Sequence, residues 1–451
     1  MNEHSGQGIT SSLVKFAMEL DAGSLPASVS HECTRALVDA VGCCVGGSRL
    51  PVVDIAHKSL VEFFGPPQAT VLGRSARCDA LHASLLNATA GAAYSFFDTY
   101  SDALLHPSGP VLAAILAVSE RTPVSGADFL AAFAVGIEAA CRLTACVTTP
   151  PANGSIAWSQ TGIACGAGAA LAAGKLLHLN REQMSWALGI AISEASGTRI
   201  CHGSMSAALI FGHAAQTGIR AAILAERGFT GPDEAIEGRF GFASTFADKA
   251  HLQAITAGIG DVFEISQNTY KPYPCGIVIH PSIDAVLLAR SDRNFVVEDI
   301  ERISLSVSTG AAALTSRADP KDDLEAKFSI QHWAAAAAVR GRAGIAEGAA
   351  AAVSDAAIRR LRSVVEVSGH DDLPNQSARL QIHLKSGTIV ERVVEHNVGS
   401  VEHPMTDEQL EAKFVDQVQP VIGLARAREL AAACWQIEML NDASAIAKIA
   451  T

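Results

Sequence analysis

Charge is scarce in this 451-residue chain, where Asp, Glu, Lys and Arg together make up 18%, and aromatic residues make up only 5%. Hydrophobic residues still account for 49%. The apolar mass is therefore carried by Ala, Leu, Ile and Val, which suits closely packed helices with small contact residues. No block of Lys or Arg occurs and the net charge is −12, so neither a nucleic-acid partner nor a membrane surface is expected. The amino terminus lacks a basic segment leading into a long apolar run, so no signal peptide is expected. The most apolar stretch, 162–174, stops at Lys175. It is too short to span a bilayer and predicts a buried helix. The ten cysteines are scattered, with no CxxC pair and no His/Cys cluster at zinc spacing. They read as reduced thiols of a cytoplasmic protein. Also missing are GxSxG, HExxH, a Walker loop and a GxGxxG after a strand. Neither a metal nor an organic cofactor is expected.

What is present has two textures. From about residue 11 to 261 the pattern is helical. Asn180 and Gln183 stand at capping-box spacing, Met184, Ala187, Leu188 and Ala191 share a face, and Gly197 is placed to end that helix. Residues 206–227 carry a small-residue stripe of Gly212, Ala215, Gly218 and Ala222. Gly231-Pro232-Asp233-Glu234 then reads as a fresh helix start. The Gly166-Ala167-Gly168 run lies inside an apolar helix and suits packing better than phosphate binding. After about 267, Ile303, Leu305 and Val307 alternate with serines, and 380–394 reads as a hairpin turning at Ser386-Gly387. Helices are expected at 326–341 and 354–362, and again at 408–418 and 425–440. The expected fold is mainly α: a large all-helical domain over 1–266, to which 401–451 returns, and a smaller α/β domain over 267–400 with a small antiparallel sheet.

Two clusters place polar residues in apolar surroundings. In the first, Asp98 and Thr99 precede His106, which opens an apolar helix. An acid/base pair and a hydroxyl then share one loop beside a helix amino terminus, which favours anions. A histidine that merely caps a turn is the structural alternative. The second is Tyr270-Lys271-Pro272-Tyr273-Pro274-Cys275, where the prolines hold an extended backbone around a lysine. A positioned lysine neutralises a carboxylate, or acts as a base where burial lowers its pKa. A plain turn at a domain boundary is the alternative.

Several blocks carry a family resemblance: HPSGPVLAAILAVSE (106–120), KLLHLNREQMSWALGIAISEASG (175–197), GHAAQTGIRAAILAERGFTGPDEAIEGRFGF (212–242), YKPYPCGIVIHPSIDA (270–285), AKFSIQHWAAAAAVRG (326–341) and HPMTDEQLEAKF (403–414). In order and content they resemble the MmgE/PrpD family, over nearly the whole chain. The resemblance implies an enzyme acting on a small polycarboxylate, such as 2-methylcitrate dehydratase, cis-aconitate decarboxylase or iminodisuccinate epimerase. It also implies a large helical domain, a smaller α/β domain and a homodimer. The sequence departs from the dehydratase/decarboxylase pattern. A doubled acidic motif keeps only Asp98-Thr99. Ser159, Ala207 and Gly276 stand where that pattern has a histidine, a lysine and a histidine, and His332 stands where it has a tyrosine.

All three reactions build charge on an enolate-like species that fixed cations must stabilise. With a lysine and two histidines replaced, the cations left suit a diacid better than a tricarboxylate. The expectation therefore leans to an epimerase of an iminodisuccinate-like diacid. A dehydratase or decarboxylase is the runner-up, and a binding protein without catalysis is the third reading. Lys271, His106, Asp98 and His332 are the catalytic candidates, and a satisfied helix histidine beside Trp333 is the other reading of His332. Thr99, Arg199, His202, Tyr270 and Tyr273 are the substrate-binding candidates.

Overall fold

The computed structural model describes residues 8–291 and 296–451, with Asp102 described by its backbone alone. Among the described residues, the seven longest helices of the first part of the chain are α1 (Ala27–Gly47), α2 (Ala80–Ala92), α3 (Ser108–Ser119), α4 (Gly126–Thr148), α5 (Gln160–Leu176), α6 (Arg181–Ser193) and α7 (Ser206–Glu226). Every residue of α3 is buried, so this helix has no polar face to show and is apolar all round. Around it, α5 packs on α4 and α7, and α2 packs on α3 and α7. Small residues make these approaches possible. A Cβ added at Gly168 of α5 would lie 2.3 Å from the Gly136 carbonyl of α4, and one at Gly218 of α7 would lie 2.3 Å from the Cβ of Ala169. The glycine-rich run in α5 is therefore a helix-packing surface.

The capping box forms as expected: the Asn180 side chain accepts from the Gln183 amide, and the Gln183 side chain accepts from the Asn180 amide, both at 3.0 Å. The helix stops at Ser193, and Gly197 lies beyond it with φ +122°. The start expected at Gly231 is not a helix. Residues 233–237 form turns because tertiary contacts take their backbone groups. The Ile236 amide donates to Thr10 Oγ1 at 3.1 Å, and the Ala235 carbonyl accepts from the Phe242 amide at 2.9 Å. By length and composition α4 and α7 could each cross a bilayer, but α4 is wholly enclosed and half of the apolar window of α7 is buried.

The second part contains α8 (His280–Ser291), β1 (Ile300–Ser308), α9 (Ile330–Arg340), β2 (Val365–His370), β3 (Ala378–Leu384) and β4 (Ile389–Val394). The sheet order is β4-β3-β1-β2. Ile303, Leu305 and Val307 point into the core while the serines between 303 and 307 stay partly exposed. The hairpin β3–β4 and the pair β1–β3 are antiparallel, as expected, but β2 runs parallel to β1. The sheet is thus mixed rather than purely antiparallel. The chain between β1 and β2 passes through helices, and a long crossover permits parallel pairing. Trp333 of α9 is fully buried among the residues of this second core, which runs from Cys275 to Val394.

The last helices, α10 (Asp407–Ile422) and α11 (Leu424–Trp435), pack back on α1. Residues from Met405 to Ala450 join the same core as Leu13 to Tyr270. All ten cysteines are unpaired, and nine are buried.

Candidate active site

The two sequence clusters meet through a ladder only two residues long. Thr99 pairs with Thr269 and Tyr100 with Asn268, antiparallel, and Thr269 Oγ1 donates to the Thr99 carbonyl at 2.6 Å. This stitch sets the loop carrying His106 beside the loop carrying Lys271. Between them opens a cleft with about 1210 Å³ of empty space, open solvent included. Its wall includes His106, Arg199, His202 and Lys271 from the expected set, together with Lys327. Among the described lining residues there is no Asp or Glu.

The His106 amide donates to Thr161 Oγ1 at 3.1 Å at the start of α5, and its ring stacks on Phe211 with centroids 5.7 Å apart. Nδ1 lies 2.7 Å from the Asp98 carbonyl, which can only accept, so Nδ1 carries the proton and Nε2 is the basic nitrogen. Burial, and then the charge on Lys271, hold His106 well below the usual histidine range. It is a neutral imidazole at pH 7.

Lys271 is 3% exposed, and its Nζ donates to the Ser95 carbonyl at 3.0 Å. Burial brings its pKa down to about 8. It remains largely protonated at neutral pH but can give up its proton far more readily than a surface lysine. Arg199 is half-buried, and among the described residues its guanidinium has no hydrogen-bond or ion-pair partner. Such a fork, facing a space with no carboxylate among its described lining residues, matches an incoming carboxylate. His202 stacks flat on Phe328, 4.7 Å between centroids, and burial followed by the Arg199 charge lowers its pKa to about 4.

Five expected residues are not on the cleft wall. Asp98 is fully buried behind His106, where its Oδ2 accepts from Asn268 Nδ2 at 2.7 Å and from Ser108 Oγ. Burial, then the charge on Asp39, pushes its pKa up to about 7. Thr99 Oγ1 sits 3.1 Å from His106 Nδ1 rather than on the wall. Both residues set the His106 ring. Tyr270 turns its hydroxyl to Glu32 at 2.6 Å under the Arg35 guanidinium, and Tyr273 turns its own to Asp284. His332 is enclosed in the second core, with Nε2 2.8 Å from the Glu347 carbonyl and Trp333 edge-on at 5.9 Å. The packed-histidine reading fits that position.

Lys327 was not singled out from the sequence. It stands two residues before Ser329, whose Oγ accepts from the His332 amide and caps α9, and one lysine beside a cap carries no periodic signal. Ser159, Ala207 and Gly276 all line the cleft, so the three replacements noted in the sequence fall on the site itself.

Residues 11–254 match the MmgE/PrpD N-terminal domain, and residues 273–437 match the MmgE/PrpD C-terminal domain. The chain belongs to the MmgE/PrpD family. Cis-aconitate decarboxylase of Homo sapiens is 27% identical to this MmgE/PrpD protein over 456 residues, covering 98% of this chain and 94% of the relative. Cis-aconitate decarboxylase of Aspergillus terreus is 23% identical over 482 residues, covering 99% and 97%. That of Mus musculus is 25% identical over 460 residues, covering 98% and 93%. All three are named as decarboxylases.

Proposed function

We propose that this MmgE/PrpD protein is a lyase that works with its own side chains on a small polycarboxylate, by decarboxylation of a cis-aconitate-like acid. One observation carries the reading: a cleft with no carboxylate among its described lining residues presents Arg199, Lys271 and Lys327 beside a neutral His106. An anion with several carboxylates meets complementary charge on that wall. The similarity to decarboxylases along the whole chain supports the same choice over the epimerase favoured by sequence alone.

In the reaction proposed, Arg199 grips one carboxylate. The bond from carbon to a second carboxylate breaks, carbon dioxide leaves, and the electron pair spreads over the unsaturated system toward the remaining carboxylates. The nearby cations stabilise that charge. Lys271 then gives its proton to carbon, and solvent restores it. The hydrogen bond from His106 Nδ1 to the Asp98 carbonyl fixes the ring, so Nε2 accepts from substrate or from a water.

One observation favours a second reading. The lining positions Ser159, Ala207 and Gly276 leave the cleft with fewer ionisable groups than the dehydratase/decarboxylase pattern implies, which suits epimerisation of an iminodisuccinate-like diacid. Proton NMR of the purified protein in deuterium oxide separates the two, with cis-aconitate, 2-methylcitrate, citrate and iminodisuccinate as substrates. Loss of carbon dioxide with one deuterium placed on carbon supports the lyase. Inversion at an α-carbon, with deuterium washed in and no change in carbon skeleton, sinks it.

A further inference from the structure

Lysine side chains from three parts of the chain converge on the short turn that follows α2. Lys327 Nζ donates to the Ala93 carbonyl at 2.7 Å, Lys271 to Ser95 at 3.0 Å and Lys413 to Phe96 at 2.8 Å. Carbonyls past a helix carboxy terminus carry partial negative charge, so they hold cations well. Lys413 is also tied to Asp39, whereas Lys327 has no ion pair among the described residues. An ammonium has three donors, and Lys327 uses one of them on protein.

Its backbone is held in place. The Gly276 amide donates to the Lys327 carbonyl at 2.9 Å, which ties Lys327 to the loop that carries Lys271. The next residue, Phe328, stacks on His202. Lys271 and Lys327 thus approach the cleft from linked pieces of backbone. They dock on carbonyls two residues apart, whose Cα atoms are at most about 7 Å apart. Asp322 and Asp323 act on Lys327 only by their charge, and burial is the larger influence on it.

We propose that Lys327 is a specificity-determining residue: its ammonium receives the carboxylate that a tricarboxylate has and a dicarboxylate of similar length lacks. This rests on the polycarboxylate reading above and names the side chain that counts the carboxylates. Because the turn already satisfies one of its protons, Lys327 is pre-placed, and binding the extra carboxylate orders few new atoms. A lysine that only capped α2 would matter equally for every ligand.

Calorimetric titration of the whole protein with two unreactive acids, propane-1,2,3-tricarboxylate and glutarate, tests this. The wild-type protein is expected to bind the tricarboxylate more tightly. Lys327→Met should weaken tricarboxylate binding about 10- to 100-fold and leave glutarate binding unchanged. Lys327→Arg, which keeps the charge, should retain the preference, and Lys327→Gln serves if the methionine variant does not fold. Equal losses for both acids, or an unchanged preference in the uncharged variants, overturns the assignment. A wild-type protein that binds neither acid overturns the proposed function itself, and this assignment with it.

Discussion

The turn after α2 has a front and a back, and each holds a buried lysine. At the back, Lys413 is 8% exposed and pairs with Asp39 at 2.6 Å while donating to the Phe96 carbonyl. In front, Lys271 is 3% exposed, donates to the adjacent Ser95 carbonyl, and has no carboxylate within ion-pair distance among the described residues. The two lysines share burial and a carbonyl partner and differ in counter-charge. A buried cation that has its own carboxylate is committed to the fold. One that lacks it, beside an open cleft, is left to pair with a ligand.

The sharpest way to break this contrast is to remove each lysine in turn. Lys271→Met should lower kcat on the working substrate by about 10²- to 10⁴-fold, the range for a lost general acid, with thermal unfolding little changed. Lys413→Met should do the reverse. It leaves the buried Asp39 carboxyl without its ion-pair partner, at a cost of about 3–5 kcal/mol in denaturant unfolding. If Lys413→Met abolished turnover at full stability, the distinction between front and back would fail.

Smaller effects sharpen the comparison. Arg199→Ala removes a fork that has no partner to abandon among the described residues. It should raise KM about 10- to 100-fold, with a smaller change in kcat and none in unfolding. His332→Phe lies away from the cleft, so its loss should appear as about 1–3 kcal/mol of stability from the Glu347 carbonyl left without its partner. Steady-state kinetics of the refolded variant should match wild type, and a large fall in kcat would return His332 to the catalytic set.

Regular patterns made most of the fold legible. The capping box at Asn180, the alternation around Leu305 and the hairpin at 380–394 are local, and each sits where its spacing predicts. Non-local pairings were not legible. The ladder joining Thr99 to Thr269 is two residues long, too short for any periodicity, yet it decides that the two polar clusters share a cleft. The parallel register of β2 depends on a crossover, and the turn at 233–237 depends on Thr10, more than 200 positions away. At the site, His106 and Lys271 stood out because polar groups in apolar sequence are conspicuous. Lys327 did not, since its role comes from the Ala93 carbonyl it reaches. Asp98 and Thr99 were recognised as belonging to the site, but sequence could not tell the wall of a cleft from the layer behind it.

The most direct test of the account is the pH dependence of Lys271 acylation by acetic anhydride, read by mass spectrometry against exposed lysines of the same chain. Deprotonated amine reacts, so reactivity should rise with a midpoint of about 8, and propane-1,2,3-tricarboxylate should protect it by occupying the cleft. A midpoint near the ordinary lysine value of 10.5, or labelling indifferent to the tricarboxylate, would contradict the claim that Lys271 is an unpaired acid held ready for a polycarboxylate.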